Sequence, residues 1–319
     1  DEEGDGSAGS PWASLDYALE RIQDAGEDNR YAILVANGLY PGLDPWAFLM
    51  KSHVHLYGGF NAEDWSRDIE RYETTLTVTV ERDEAVAGSQ VVDCKIDGFT
   101  VRDGGIYFSQ DSEATITNNT ISGAPWVAVH FSGQTSVEVV GNLIEYSGGS
   151  GIRGDGDSQV IGRDNIIVRN GDAGIQLLGE TSGSFTNNRI TRNEINGFYL
   201  LDSIDSTISN NEIAYNGGPS NGRNGGGIFF SGEGGILNNL IIYNESDDLG
   251  GGIYTAGNLD VTNNIMQGNT SYREGGGLYC GTQYQGNTTV VTGNAVLQNQ
   301  SLDASGGGGY RGFDTGRLA

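Results

Sequence analysis

Five side chains near the middle of the chain have the types needed for carbohydrate chemistry: His130, Arg153, Asp155, Asp157 and Glu180. Arg153 follows His130 by 23 residues, and Glu180 follows Asp157 by the same 23. That interval also separates Asn119, Asn142, Asn165, Asn188 and Asn211, each of which opens a short apolar run. If it is one turn of a solenoid, residues separated by it stack on adjacent turns, about 5 Å apart at the spacing of paired strands. Asp157 and Glu180 would then either hold a cation such as Ca2+ or force one carboxyl to keep its proton. His130 would serve as a base, and Arg153 would stabilise the enolate-like charge of a uronide β-elimination, with Asp155 beside them. The alternative is that these are solvated turn residues around Gly156 and Gly179.

A second set comes from the same ruler. Small residues at Gly105, Ala128, Gly151, Gly174, Gly197, Gly227, Gly252, Gly277 and Gly309 each precede an apolar alternation. The residue two places after each marker should point outward on a strand, giving the column Tyr107, His130, Arg153, Gln176, Tyr199, Phe229, Tyr254, Tyr279, Arg311. Such a column is a candidate ligand ridge, with aromatic faces for sugar rings and Arg153 for a uronate or sulfate. Aromatic residues also suit strands for packing reasons alone, and the column is equally readable that way.

The elements that position these residues are three short strands per turn. One carries inward Ile106 and Phe108. A second carries inward Ile116, Val139, Phe185, Ile208, Ile236, Val261 and Val291. A third carries inward Ile121, Ile144, Ile167, Ile190, Ile213, Ile241, Met266 and Val296. With no helix between them, the predicted fold is all-β: a right-handed, single-stranded parallel β-helix of about nine to ten coils. The marker asparagines, continued at Asn239, Asn264 and Asn294, are expected at the corner between second and third strands, in the left-handed conformation and bonded up the stack. Asn170, Asn193, Asn216, Asn244, Asn269 and Asn299 predict a second ladder, and the glycine triplets at 225–227, 250–252 and 275–277 predict tight turns. Residues 1–92 are expected to form an N-terminal cap and opening coils, with a helix over about 14–25 started by Ser14, and residues 93–319 the repeats, in one continuous solenoid domain. From Gly306 onward no matching cap is apparent, so either the last coil is open or the native chain continues.

Composition narrows the partners. Against 42 Asp and Glu stand 17 Lys and Arg, a net charge of -25 that disfavours nucleic acid and anionic membranes. Cys94 and Cys280 are expected to be free, since the repeat count puts them roughly 34 Å apart. His53 and His55 alternate on a strand without a third metal ligand nearby. No signal peptide or membrane span is found, and the chain starts at Asp1 as a mature or trimmed protein would; an extracellular or cell-surface location is inferred from the solenoid class.

The segments PWASLDYAL, ILVANGLYPG and HVHLYGGFNAEDWSRDIERYETTL, with the repeated Gly-Gly-Gly-Ile/Leu-Tyr runs, resemble bacterial cell-surface β-helix proteins of the pectate-lyase-like superfamily. They look like the repeats of autotransporter adhesins and polymorphic outer-membrane proteins. The resemblance implies a fold that hosts adhesins, tailspikes and polysaccharide enzymes alike. The paired Asp, Gly-His-Gly and Arg-Ile-Lys segments of polygalacturonase-like hydrolases are missing apart from Asp247-Asp248, and the calcium carboxylates of pectate lyases are not recognisable as a set. The expectation is therefore a surface solenoid that binds a polysaccharide or another cell-surface component without cleaving it. A polysaccharide lyase or hydrolase is the alternative, and a purely architectural solenoid the third reading. No cofactor is required by the first reading; Ca2+ enters only with the Asp157 and Glu180 pair. Oligomeric state is left open.

Overall fold

The computed structural model describes residues 4–42, 48–78, 84–218, 223–281, 287–303 and 307. Gly309, Arg311 and most of the stretch after Gly306 lie outside these residues. Among the described residues one helix, Leu15–Arg21, is followed only by strands. Ser14 caps it, its hydroxyl accepting from the Tyr17 N–H at 3.2 Å, and Leu15, Ala18 and Leu19 form its buried stripe. It is shorter than the apolar spacing suggested, because Ile22 leaves the helix for an extended conformation (φ -78°, ψ 109°) while its side chain stays in the core. Parallel pairing begins at once after it, with Tyr31–Ala36 against Val54–Phe60.

Every named strand pair is parallel and joins one coil to the next. Glu113–Thr117 pairs with Ser136–Val140, which pairs with Gln159–Arg163, residue for residue at the 23-residue offset. The third strands form a separate eleven-stranded sheet, while first and second strands run together in one sheet of eighteen among the described residues. In the later coils those two merge into single long strands, Phe198–Ser209, Ile228–Leu237 and Ile253–Thr262. The longer intervals there also add a short fourth strand per coil, Glu245–Ser246, Thr270–Ser271 and Gln300–Ser301, paired into a sheet of their own. This extra strand was not expected from the sequence; it forms because the inserted residues have backbone groups that need partners.

The core is a column of stacked apolar side chains. Ile106, Val129, Ile152, Ile175, Phe198, Ile228 and Ile253 follow one another on the first strands, and Ile121, Ile144, Ile167, Ile190, Ile213 and Ile241 on the third, all buried. Each such burial stabilises by about 1.5–3 kcal/mol. Val296, expected inside, is partly exposed at the last described coil.

The asparagine ladders correct one detail of the sequence reading. Asn188 donates its main-chain N–H to Asn211 Oδ1 (2.8 Å) and its Nδ2 to Asn211 Oδ1 (3.0 Å) and to the Gly162 carbonyl (2.9 Å). The same pattern runs from Asn119 to Asn294, and again from Asn170 to Asn299. The left-handed residue at each corner is the one before the ladder asparagine: Asn118, Asp164, Asn187, Asn210, Asn238 and Asn263, with φ from 54° to 58°. A ladder asparagine must turn its amide inward to reach the adjacent coils, so the residue ahead of it makes the turn. Gly225, Gly250 and Gly275 open the glycine triplets with φ near 70°, as the sequence predicted.

Candidate functional site

The outward column of the first strands exists in the predicted order. Tyr107 is in register with His130, His130 with Arg153, Arg153 with Gln176, Gln176 with Tyr199, Tyr199 with Phe229, Phe229 with Tyr254 and Tyr254 with Tyr279. Parallel pairing at one residue per coil is what converts a 23-residue interval into contact.

Its first half is polar. Asp155 lies at the centre, its Oδ2 2.8 Å from His130 Nε2 and 2.9 Å from Arg153 Nε, while Arg153 Nη2 reaches Oδ1 at 3.0 Å. Burial alone would raise this carboxyl, but hydrogen bonds from His130 and Arg153, and their charges, outweigh it and hold Asp155 below the ordinary carboxylate range. The Tyr107 ring lies 5.0 Å from the imidazole, and its hydroxyl is fixed 2.8 Å from Ser132 Oγ. The sequence did not point to Ser132; it faces Tyr107 from the adjacent coil at the end of the strand Val129–Ser132.

Asp157 and Glu180 are not part of this cluster. They occupy equivalent places on adjacent coils, beyond the register pair Asp155 and Leu178 and before Gln159 and Ser182, and both are exposed in turns. Among the described residues no three His, Cys, Asp or Glu side chains converge to hold a metal ion. The two carboxylates are therefore a candidate calcium pair only, without a third protein ligand of that kind among the described residues. His53 and His55 both meet the Asp93 carboxylate, at 3.1 and 3.2 Å, with Arg30 at 2.8 Å on the same group.

The second half is aromatic, and here the ridge differs from expectation. Tyr199 and Phe229 stack at 4.7 Å and 17°, Phe229 and Tyr254 at 5.1 Å and 3°, Tyr254 and Tyr279 at 5.5 Å and 10°. At such distances and angles the rings face one another along the axis, so solvent meets their edges. The further face of Tyr199 lies under the Arg223 guanidinium, 5.1 Å from the ring centre, and Arg223 is steadied by Asp172 at 3.7 Å. Sugar rings therefore have no row of aromatic faces to lie on. Between the halves, Gln176 is buried and accepts from Ser150 Oγ at 3.3 Å, so it is not the exposed ligand contact that its place in the column suggested. Arg223 and Asp172 were invisible to the 23-residue ruler, because one lies in an insertion and the other in a turn.

Residues 104–258 match the family described as the right handed beta helix region. The mannuronan C-5 epimerase AlgE4 A-module of Azotobacter vinelandii superposes with a TM-score of 0.62 at 13% identity, over 93% of this chain and 94% of that one. Pectate lyase Pel9A gives 0.57 at 14%, over 98% and 76%, and the surface adhesin PfbA of Streptococcus pneumoniae 0.50 at 12%, over 89% and 86%. No curated protein sequence matches the chain. At these identities the likeness is one of fold, shared by enzymes and an adhesin. The fold of this chain, with its ladders and stacked coils, is that of a right-handed parallel β-helix.

Proposed function

We propose that this chain binds an acidic carbohydrate on the outward face of its first strands and does not cleave it, as an extracellular or cell-surface protein. The observation that carries the reading is the Asp155 cluster: one carboxylate saturated by His130 and Arg153, with Tyr107 alongside. Such a cluster offers fixed donors and a half-exposed cation to a uronate, whose carboxylate can share the Arg153 fork. Hydrolysis of a glycosidic bond ordinarily uses two carboxyl groups flanking it. Here the candidates for a second, Asp157 and Glu180, are exposed in turns and take no part in the hydrogen bonds around Asp155.

One observation favours a second reading. The 2.8 Å contact between His130 and Asp155 would orient the imidazole as a base, as elimination from a uronide requires. Incubation with polyuronates and neutral glycans, reading both retention and ultraviolet absorbance of unsaturated products, separates the two. Retention without new absorbance supports binding alone. Absorbance that rises, and is abolished by Arg153→Ala, replaces it with a lyase.

A further inference from the structure

The corner that ends the third strand carries a column that the first-strand ridge does not explain. Tyr146, Arg169, Arg192, Tyr215 and Tyr243 occupy it on five consecutive coils, because the residues just before them pair in register: Glu145 with Val168, Val168 with Thr191, Thr191 with Ala214, Ala214 with Ile242. All five are left-handed, with φ between 54° and 58°. The corner after the second strand makes the same turn with Asn118, Asp164, Asn187, Asn210, Asn238 and Asn263, which adopt that conformation readily. Backbone geometry does not select tyrosine and arginine, so the reason for them lies in their side chains.

Those side chains stack along the axis. Arg169 lies 5.6 Å over the Tyr146 ring and donates from Nη1 to its hydroxyl at 2.6 Å, and Arg192 lies 5.3 Å over Tyr215. Tyr215 and Tyr243 stack at 5.3 Å, and the Tyr243 ring covers Gly268, where an added Cβ would come within 2.6 Å of it. Faces are consumed by the stack, so solvent meets guanidinium edges and phenol hydroxyls. A stacked guanidinium keeps N–H groups in its plane for a carboxylate or sulfate. Tyr146, Tyr215 and Tyr243 are about half exposed, at 50%, 50% and 47%.

Charge says what the edges are for. Four other exposed arginines on the coils are matched by carboxylates, Arg102 with Glu73, Arg163 with Glu138, Arg189 with Glu212 and Arg273 with Asp248, while Arg21 and Arg71, in the N-terminal region, lie over Tyr17 and Tyr72. Arg169 and Arg192 sit on adjacent coils, and among the described residues neither has a carboxylate within 4.0 Å. Two neighbouring cations left unmatched, in a chain with 42 acidic residues, form a site for an anion from outside.

We propose that this corner is a binding strip for a linear anionic polysaccharide, with carboxylate or sulfate groups taken by Arg169 and Arg192 and ring hydroxyls by the three tyrosines. The strip is straight and one side chain wide, which fits a single polymer chain. A broad anionic surface such as a bilayer would be repelled by the rest of a protein of net charge -25. The proposal stands on its own residues and does not rest on the reading of the Asp155 cluster.

The test uses the whole chain carrying Arg153→Gln, which removes the first-strand arginine from competition. Binding of polygalacturonate and of dextran sulfate is measured by titration calorimetry at about 0.05 M salt, with neutral dextran as reference. The expected result is saturable binding of at least one polyanion, weakened about tenfold or more when Arg169→Gln and Arg192→Gln are added, as loss of charge-assisted hydrogen bonds requires. Which polyanion binds tells carboxylate from sulfate. Arg163→Gln with Arg189→Gln, at two matched arginines, should leave the affinity unchanged; an equal loss there would mean non-specific attraction and overturn the strip. No binding by the Arg153→Gln chain, where the native chain does bind, would place the polymer on the first-strand face and overturn it as well. So would binding that survives loss of Arg169 and Arg192.

Discussion

Two corners flank each third strand, and they solve the same backbone problem with different residues. Both turn through a left-handed residue, and both are followed by an asparagine whose amide bonds the coils above and below. At the first corner the turning residue is Asn, Asp or Gly; at the second it is Tyr or Arg on five coils in a row. A bulky residue in that conformation costs about 1 kcal/mol relative to asparagine or glycine. Stacking between neighbouring rings and guanidinium groups offsets about 0.5–1.5 kcal/mol per contact. The second corner thus ends near neutral in stability while presenting a surface that the first does not. The lesson is that a repeated residue marks architecture when its backbone explains it, and marks something further when its backbone argues against it.

The largest expected effect tests what the corners share. Asn188→Ala removes bonds to Asn211, Gly162 and Thr186 and leaves the Asn165 N–H and Nδ2 without their acceptor, which should cost about 2–4 kcal/mol. Urea unfolding reads this directly, and an unchanged midpoint would remove the ladder from the account. A smaller effect tests the difference. Asn187→Tyr places the residue of the second corner in the first, without a ring on the next coil to receive it, and should destabilise by about 1 kcal/mol. If it is neutral, the contrast between the corners carries no energetic meaning.

A third test brings in the first-strand face. The Asp155 carboxyl is held below its unfolded value by His130 and Arg153 against the opposing effect of burial. Its contribution is present above the ordinary carboxylate value of about 4 and is lost as pH falls through the depressed folded value. Asp155→Asn should be less stable than the native chain at neutral pH by under about 1 kcal/mol, given its partial exposure, and the gap should close in acid. A gap that stays constant with pH would mean the carboxylate is not the stabilising form. The smallest effect concerns the thiols. Burial, helped by the charges of Asp93 and Glu113, pushes Cys94 up to about 12, and burial also raises Cys280. Neither should be alkylated at neutral pH until the chain unfolds; prompt labelling of the native protein would contradict their burial.

Much of this was legible because a parallel β-helix turns sequence distance into adjacency. The interval of 23 alone places Tyr107, His130 and Arg153 in one column, and the structure has them there. What the interval does not encode is where side chains point along the axis. Nothing in the order Tyr199, Phe229, Tyr254, Tyr279 says that the rings close on one another, since that depends on rotamers chosen by the neighbouring coils. The burial of Gln176 depends on Ser150 and its surroundings, off the column altogether. The Tyr146 to Tyr243 column was within reach of the same ruler, one place before the second asparagine ladder. It stayed hidden because the asparagines there already explained the repeat.

The central claim is that this solenoid holds an acidic glycan without breaking it. The direct measurement is to pass a polyuronate over the immobilised native chain and record both retention and absorbance in the ultraviolet. Retention that falls with added salt, with no rise in absorbance, is the predicted result. Absorbance that rises with time and disappears in Arg153→Ala, or a polymer that passes unretained at low salt, would contradict it.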